Sequence, residues 1–195
     1  GTRGSGELRL VEGAEAAKIL GISNRENLGM ADGFFRNDEE HQMKIIKKLR
    51  EYQPEIVLCN AVSDRHPDHS RAAKLVSEAC FYSGLRKIGT RFNDEIQPCW
   101  RPKAVYHYVQ DKQLKPDFVV DITPYVEQKF KAIQAFSSQF YNPKSKEPES
   151  PISVKNFLDL VRSKMMVFGR DIGVDYAEGF ITERPIGVGD MLTLR

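Results

Sequence analysis

The stretch that most constrains this chain is a four-residue apolar run, Ile56-Val57-Leu58-Cys59. It is followed within a few positions by Asp64-Arg65-His66-Pro67-Asp68-His69 and then by helical apolar spacing over residues 70–82. A continuous apolar run this short predicts a strand buried on both faces. With a helix before it and a loop and helix after it, the run gives α/β order, helices flanking a mostly parallel sheet. Pro67 fixes its own φ and pushes His66 out of the helical region, so the hexapeptide is predicted to be a loop. It falls at the carboxyl end of the strand, where open α/β sheets bind their ligands.

Two of the chain's four histidines lie in this loop. A neutral imidazole is the commonest metal ligand, and its second nitrogen is usually oriented by a carboxylate or carbonyl. His66, Asp68 and His69 therefore offer a ligand, an acid or base, and an orienting partner. The same residues admit a plainer reading, in which Asp64 or Asp68 caps the following helix and the histidines sit on a solvated loop. A histidine pair is also not a metal site by itself, since catalytic zinc takes three protein ligands and an open position.

Elsewhere the local signals are ordinary. Ala14, Ala16, Ala17, Ile19 and Leu20 predict a short helix that Gly21 stops. Residues 27–33 read as a short strand running into an Asp32-Gly33 turn. Asp38 is placed to cap a helix through Tyr52, with Met43, Ile45, Ile46, Leu49 and Tyr52 as its apolar stripe and Pro54 as its end. Residues 104–109 and 118–122 read as strands. Thr123 can cap a helix to Gln139, residues 141–150 a polar loop, and Ser153 can open a last helix that Gly169 stops. Residues 180–186 supply a closing strand or extended tail. His41 reads as part of a solvated helix face, and His107 as a hydrogen-bonded sheet histidine.

No repeat, low-complexity tract or linker divides the 195 residues, so one domain over 1–195 is expected. A net charge of +2 on scattered basic residues gives no case for a nucleic acid or membrane-surface partner. No apolar run is long enough to span a bilayer. Cys59, Cys80 and Cys99 are odd in number and in no Cys-x-x-Cys pair, which argues against a disulfide framework and a cysteine zinc site. Reduced thiols in the cytoplasm fit that usage.

Gly1-Thr2-Arg3-Gly4, Glu7-Leu8-Arg9, Asn27-Leu28-Gly29, Ala31-Asp32-Gly33-Phe34-Phe35, residues 64–69, Ser83-Gly84-Leu85-Arg86-Lys87, Ser138-Gln139-Phe140 and Tyr176-Ala177-Glu178-Gly179-Phe180 stand in a recognisable order. In this order they resemble the LmbE-like (PIG-L) zinc-dependent N-acetylglucosamine deacetylases, and most of all the bacillithiol-biosynthesis members that act on N-acetylglucosaminyl-malate. The resemblance implies a Rossmann-like fold, a small-molecule glycoconjugate substrate, a Zn2+ cofactor and a homo-oligomer. That family opens with a strand ending in Ala-His-Pro-Asp-Asp, which is absent here. The expectation is therefore a fragment that lacks the first strand-helix unit, about 30 residues or more, and is inactive alone.

The resemblance also distributes roles. His69 is implied as a metal ligand, His66 as the imidazole that stabilises the oxyanion and assists amine departure, and Asp68 as the carboxylate that holds His66. Arg9 and Asp32 are implied at the substrate pocket. Arg9 reads equally well as an exposed arginine at a helix start, and Asp32 as the first residue of an Asp-Gly turn. Two alternatives stay open: a deacetylase of another N-acetylated glycoconjugate, and a non-catalytic sugar-binding domain.

Overall fold

In the computed structural model, residues 3–194 are described; Gly1 and Thr2 of the glycine-rich opening, and Arg195, lie outside the described residues. Helix α1 (Gly6–Leu20) starts where the Ser5 side chain accepts from the Leu8 N–H, and it stops at Gly21, at φ 69°. Helix α2 (Glu39–Tyr52) starts at Asp38, as the capping signal predicts, and ends on Gln53 in the left-handed region. Then follow β1 (Ile56–Cys59), α3 (Pro67–Tyr82), a small antiparallel hairpin of β2 (Arg91–Phe92) and β3 (Glu95–Ile96), β4 (Ala104–Tyr108) and β5 (Phe118–Asp121). A 3-10 turn, Thr123–Tyr125, leads into α4 (Val126–Gln134), and α5 (Phe157–Ile172) and β6 (Ala177–Thr182) complete the regular elements that matter here.

The sheet runs β1-β4-β6-β5. β1 and β4 are parallel, from Ile56↔Ala104 to Cys59↔His107, whereas β4 and β6 are antiparallel. The sheet is thus mixed and flanked by helices, the α/β class that the element order predicts. Backbone contacts divide the chain into two compact units, one of residues up to Asn27 with Val120–Glu178, the other of Leu28–Val119 with the residues from Gly179 on. The first is organised on Val126, Phe130 and Met165, packed by Ile122, Leu158, Val161 and Tyr176. The second is organised on Ile46, Leu49, Ala79 and Cys80, where α2 and α3 meet Val57 of β1 and Val105 of β4. No helix among the described residues is long and apolar enough to cross a membrane.

Five expectations are corrected. β1 is not buried on both faces: it is an edge strand whose Ile56 and Leu58 are 56% and 57% exposed, while Val57 and Cys59 turn to the core. Residues 27–31 form no strand, because Gly29 at φ 64° breaks the extended run. The loop before α3 is shorter than predicted, since Pro67 is tolerated at the first helical position, where its missing N–H is unneeded. Beyond Gln134 the helix predicted to reach Gln139 gives way, because the Ser138 N–H turns to Glu12 Oε1 at 2.7 Å instead of a helix carbonyl. The last helix starts later and runs past Gly169 to a left-handed cap at Gly173. At Gly169 the chain doubles back so closely that a Cβ would lie 2.6 Å from Val174 O.

Candidate functional site

The parallel ladder between β1 and β4 ends at Cys59↔His107, and beyond it the two chains are joined by side chains. Gln110 Oε1 accepts from Asn60 Nδ2 and from the Ala61 N–H, both at 3.0 Å. Asp64 then closes the connection from the other side. Its side chain is fully buried; Oδ1 accepts from the backbone N–H groups of Arg65 (2.8 Å) and Lys112 (2.7 Å), and Oδ2 faces Asp111 N at 3.4 Å. Oδ2 also lies 2.5 Å from His69 Nδ1. Burial by itself pushes this carboxyl up, but the His69 bond and the backbone N–H groups of Lys112, Arg65 and Asp111 outweigh it and hold the carboxyl at about 2. Asp64 is therefore an anion that takes the Nδ1 hydrogen of His69 and leaves Nε2 as the free face of the ring.

His66 is the N-cap of α3, extended at φ −85° and ψ 126° as a residue before proline should be. Its Nδ1 accepts the Asp68 N–H at 3.2 Å, so in the neutral ring the hydrogen sits on Nε2. The two imidazoles stand side by side, with centroids 5.4 Å apart and planes tilted by 34°.

The contact expected between Asp68 and His66 is made by the Asp68 backbone and not by its carboxylate. That carboxylate is used elsewhere: Oδ2 accepts the Gly33 N–H at 2.7 Å and Oδ1 pairs with Arg71 Nη1 at 2.5 Å. Arg71 also donates to Gly33 O at 3.1 Å and lies over the Phe35 ring. Asp68 and Arg71 thus clamp the turn that carries Asp32 against the start of α3, which brings Asp32, His66, Asp68 and His69 into one neighbourhood. Asp32 itself is exposed. Arg9 is exposed on the first turns of α1, in the other compact unit.

The donor set suits one corner of a metal site. His69 has its Nδ1 committed to a carboxylate, the arrangement usual for a metal-ligating histidine, and its Nε2 makes no hydrogen bond among the described residues. Among the described residues no group of three or more His, Cys, Asp or Glu is placed to hold a metal. Two cavities, of about 580 Å³ against α1 and α4 and about 740 Å³ beside β1 and β4, are lined by other residues. The residue that sequence reasoning passed over is Asp64. Its signal, an aspartate five positions before a histidine at the end of a strand, is in sequence also that of a helix cap.

The family model described as PIG-L, GlcNAc-PI de-N-acetylase, matches residues 1–80, the segment that contains α1, the Asp32 turn and the Asp64-to-His69 loop. The chain is 28% identical over 175 residues to diacetylchitobiose deacetylase of Thermococcus kodakarensis, covering 88% of this chain and 61% of that protein. It thus spans about three fifths of that relative's length. It is similar to the crystal structure of the conserved protein TT1542 from Thermus thermophilus, with TM-score 0.84 and 30% identity over 98% of this chain and 80% of that one. It also shares its fold with the 4-carboxy-2-hydroxymuconate hydratase GalB of Pseudomonas putida, at TM-score 0.73 and 22% identity, over 95% of this chain and 75% of that one.

Proposed function

Because the chain belongs to the PIG-L family, we propose that it acts as a zinc-dependent deacetylase of N-acetylglucosaminyl conjugates, releasing acetate and the free amine. The preferred substrate in this reading is N-acetylglucosaminyl-malate. The observation that carries it is the buried Asp64 carboxylate fixing His69 beside His66, within the segment that the family model matches.

His69 supplies one ligand through Nε2, held in orientation by Asp64. Bound zinc supplies a Lewis acid for the acetamide carbonyl and lowers the pKa of water. His66 presents an Nε2–H donor, which suits a hydrogen bond to the oxyanion that develops as the carbonyl is attacked. Giving a proton to the departing amine is harder for this ring: a hydrogen on Nδ1 would break the cap it accepts from Asp68 N–H. The geometry therefore favours oxyanion stabilisation as the main duty of His66. Asp68 and Arg71 hold the Asp32 turn, where a carboxylate can accept from sugar hydroxyls.

The test is acetate release by the full-length protein with added zinc, measured on N-acetylglucosaminyl-malate, diacetylchitobiose and free N-acetylglucosamine. The expected outcome is chelator-sensitive release, fastest on the malate conjugate. The relative from Thermococcus kodakarensis favours a second reading, a chitobiose-type substrate, and faster release from diacetylchitobiose selects it. His69→Ala is expected to abolish stoichiometric zinc binding and to lower turnover at least about a hundredfold, on the scale at which an electrostatic catalyst is lost. No acetate from any of the three, with zinc supplied, rejects the reading in favour of a sugar-binding domain. A homo-oligomer is part of the proposal, and light scattering on the eluted peak tests it.

A further inference from the structure

His107 stands where β1 and β4 part company. It is the partner of Cys59 in the last rung of the parallel ladder, and it is only 3% exposed. Its Nδ1 lies 2.8 Å from Asn60 O, and its Nε2 lies 2.9 Å from Oε1 of Glu183, just past the end of β6. The Cys59 Sγ is 3.2 Å from Nδ1. A cysteine, a histidine and a glutamate in line suggest a thiolate nucleophile with its base. Cys59 excludes that: burial, with Cys80 and Glu183 adding to it, pushes the thiol up to about 12, so it stays neutral and unreactive. What remains is a ring with both nitrogens facing oxygen. A hydrogen on Nδ1 donates to the Asn60 carbonyl, and the Glu183 carboxylate holds the ring from its other side.

The carbonyl held by Nδ1 is the first one beyond the ladder. From Asn60 the connection to α3 is tied in sequence to the chain after β4: Asn60 and Ala61 to Gln110, then Asp64 to Asp111 and Lys112, and Asp64 to His69. His107 is the innermost of these ties, and Glu183, just past β6, braces it. We propose that His107, braced by Glu183, is a positioning residue for the β1–α3 loop: by holding Asn60 O it fixes the point from which the loop carries Asp64 to His69. The kinetic consequence rests on the deacetylase reading; the geometric one does not.

The experiment is amide exchange and imidazole NMR on the full chain. The wild-type His107 ring is expected to carry a hydrogen on Nδ1, and Glu183→Gln, which weakens the brace, to speed exchange at Ala61 less than loss of the ring does. His107→Ala is expected to speed exchange at Ala61 and Lys112 by about tenfold or more, while Ile46 and Leu75 in the α2–α3 core stay unchanged. His107→Gln, which can still donate to Asn60 O, should recover most of the protection. Where acetate release is measured, His107→Ala should lower kcat roughly tenfold with KM within about twofold, since a misplaced group costs turnover more than binding. A wild-type ring with no hydrogen on Nδ1, exchange that rises equally at Ala61, Ile46 and Leu75 or at none of them, or a change in KM alone overturns the proposal. Should the wild type release no acetate, the deacetylase reading falls and the exchange pattern still decides the role of His107. If His107→Ala does not fold, the Gln variants of His107 and Glu183 carry the same comparison.

Discussion

Asp64 gives two buried oxygens to four nitrogen partners, three of them backbone N–H groups that no rotamer change can withdraw. Replacing it by asparagine turns an NH2 group toward one of those donors, and the expected cost is about 1–3 kcal/mol, read as a lower urea midpoint at unchanged slope. The pH dependence has a definite sign. A carboxyl held near 2 in the fold and close to its ordinary value when unfolded contributes fully above the ordinary range and loses that contribution as pH falls between about 4 and 2. Wild type should therefore lose stability through that window more steeply than Asp64→Asn, in acid titrations followed by circular dichroism. At this scale the sequence made His66 and His69 visible, because histidines beside a proline at a strand end are rare and chemically pointed. It hid the pairing. Asp68 is near His66 in sequence, yet its carboxylate belongs to Gly33 and Arg71, while the carboxylate that matters to an imidazole is Asp64, five residues before His69 and across the loop-to-helix bend.

Helix α2 and the C-terminal end of α1 were legible because local signals and the final contacts agree: Gly21 stops the first and Asp38 caps the second. The misread ends are those set by distant partners. Glu12 on α1 draws the backbone away after α4, and the return of residues 174–176 makes Gly169 a site of close approach and not a stop. Gly169→Ala is accordingly expected to destabilise the protein by about 1–3 kcal/mol, because the atoms that a Cβ meets are backbone and cannot swing aside. A melting curve of the variant checks it, and a gain in stability would contradict the close approach. The β2–β3 hairpin escaped notice although Asn93 and Asp94, both at positive φ, are residues that tolerate the left-handed turn. Two-residue strands offer too little alternation to be seen.

At the scale of the whole molecule, α/β character followed from the alternation of helix and strand signals, but strand order did not. Pairing β4 with β6 joins residues more than seventy positions apart, and nothing local in either strand specifies the antiparallel sense. The edge position of β1 went unread for the same reason, since an apolar tetrapeptide looks alike at a sheet centre and at its margin. Ile46, 1% exposed at the heart of the α2–α3 cluster, tests the core: Ile46→Ala is expected to cost about 2–5 kcal/mol, with the loss seen in amide protection across α2 and α3. The saturated Asp64 has one more implication, for anyone wishing to transplant this chemistry. A grafted His-Pro-Asp-His tetrapeptide would arrive with its second imidazole free to spin, because the anion that steadies it is itself moored by amides from another loop altogether. The smallest portable unit is two strand ends and the pair of loops that leave them.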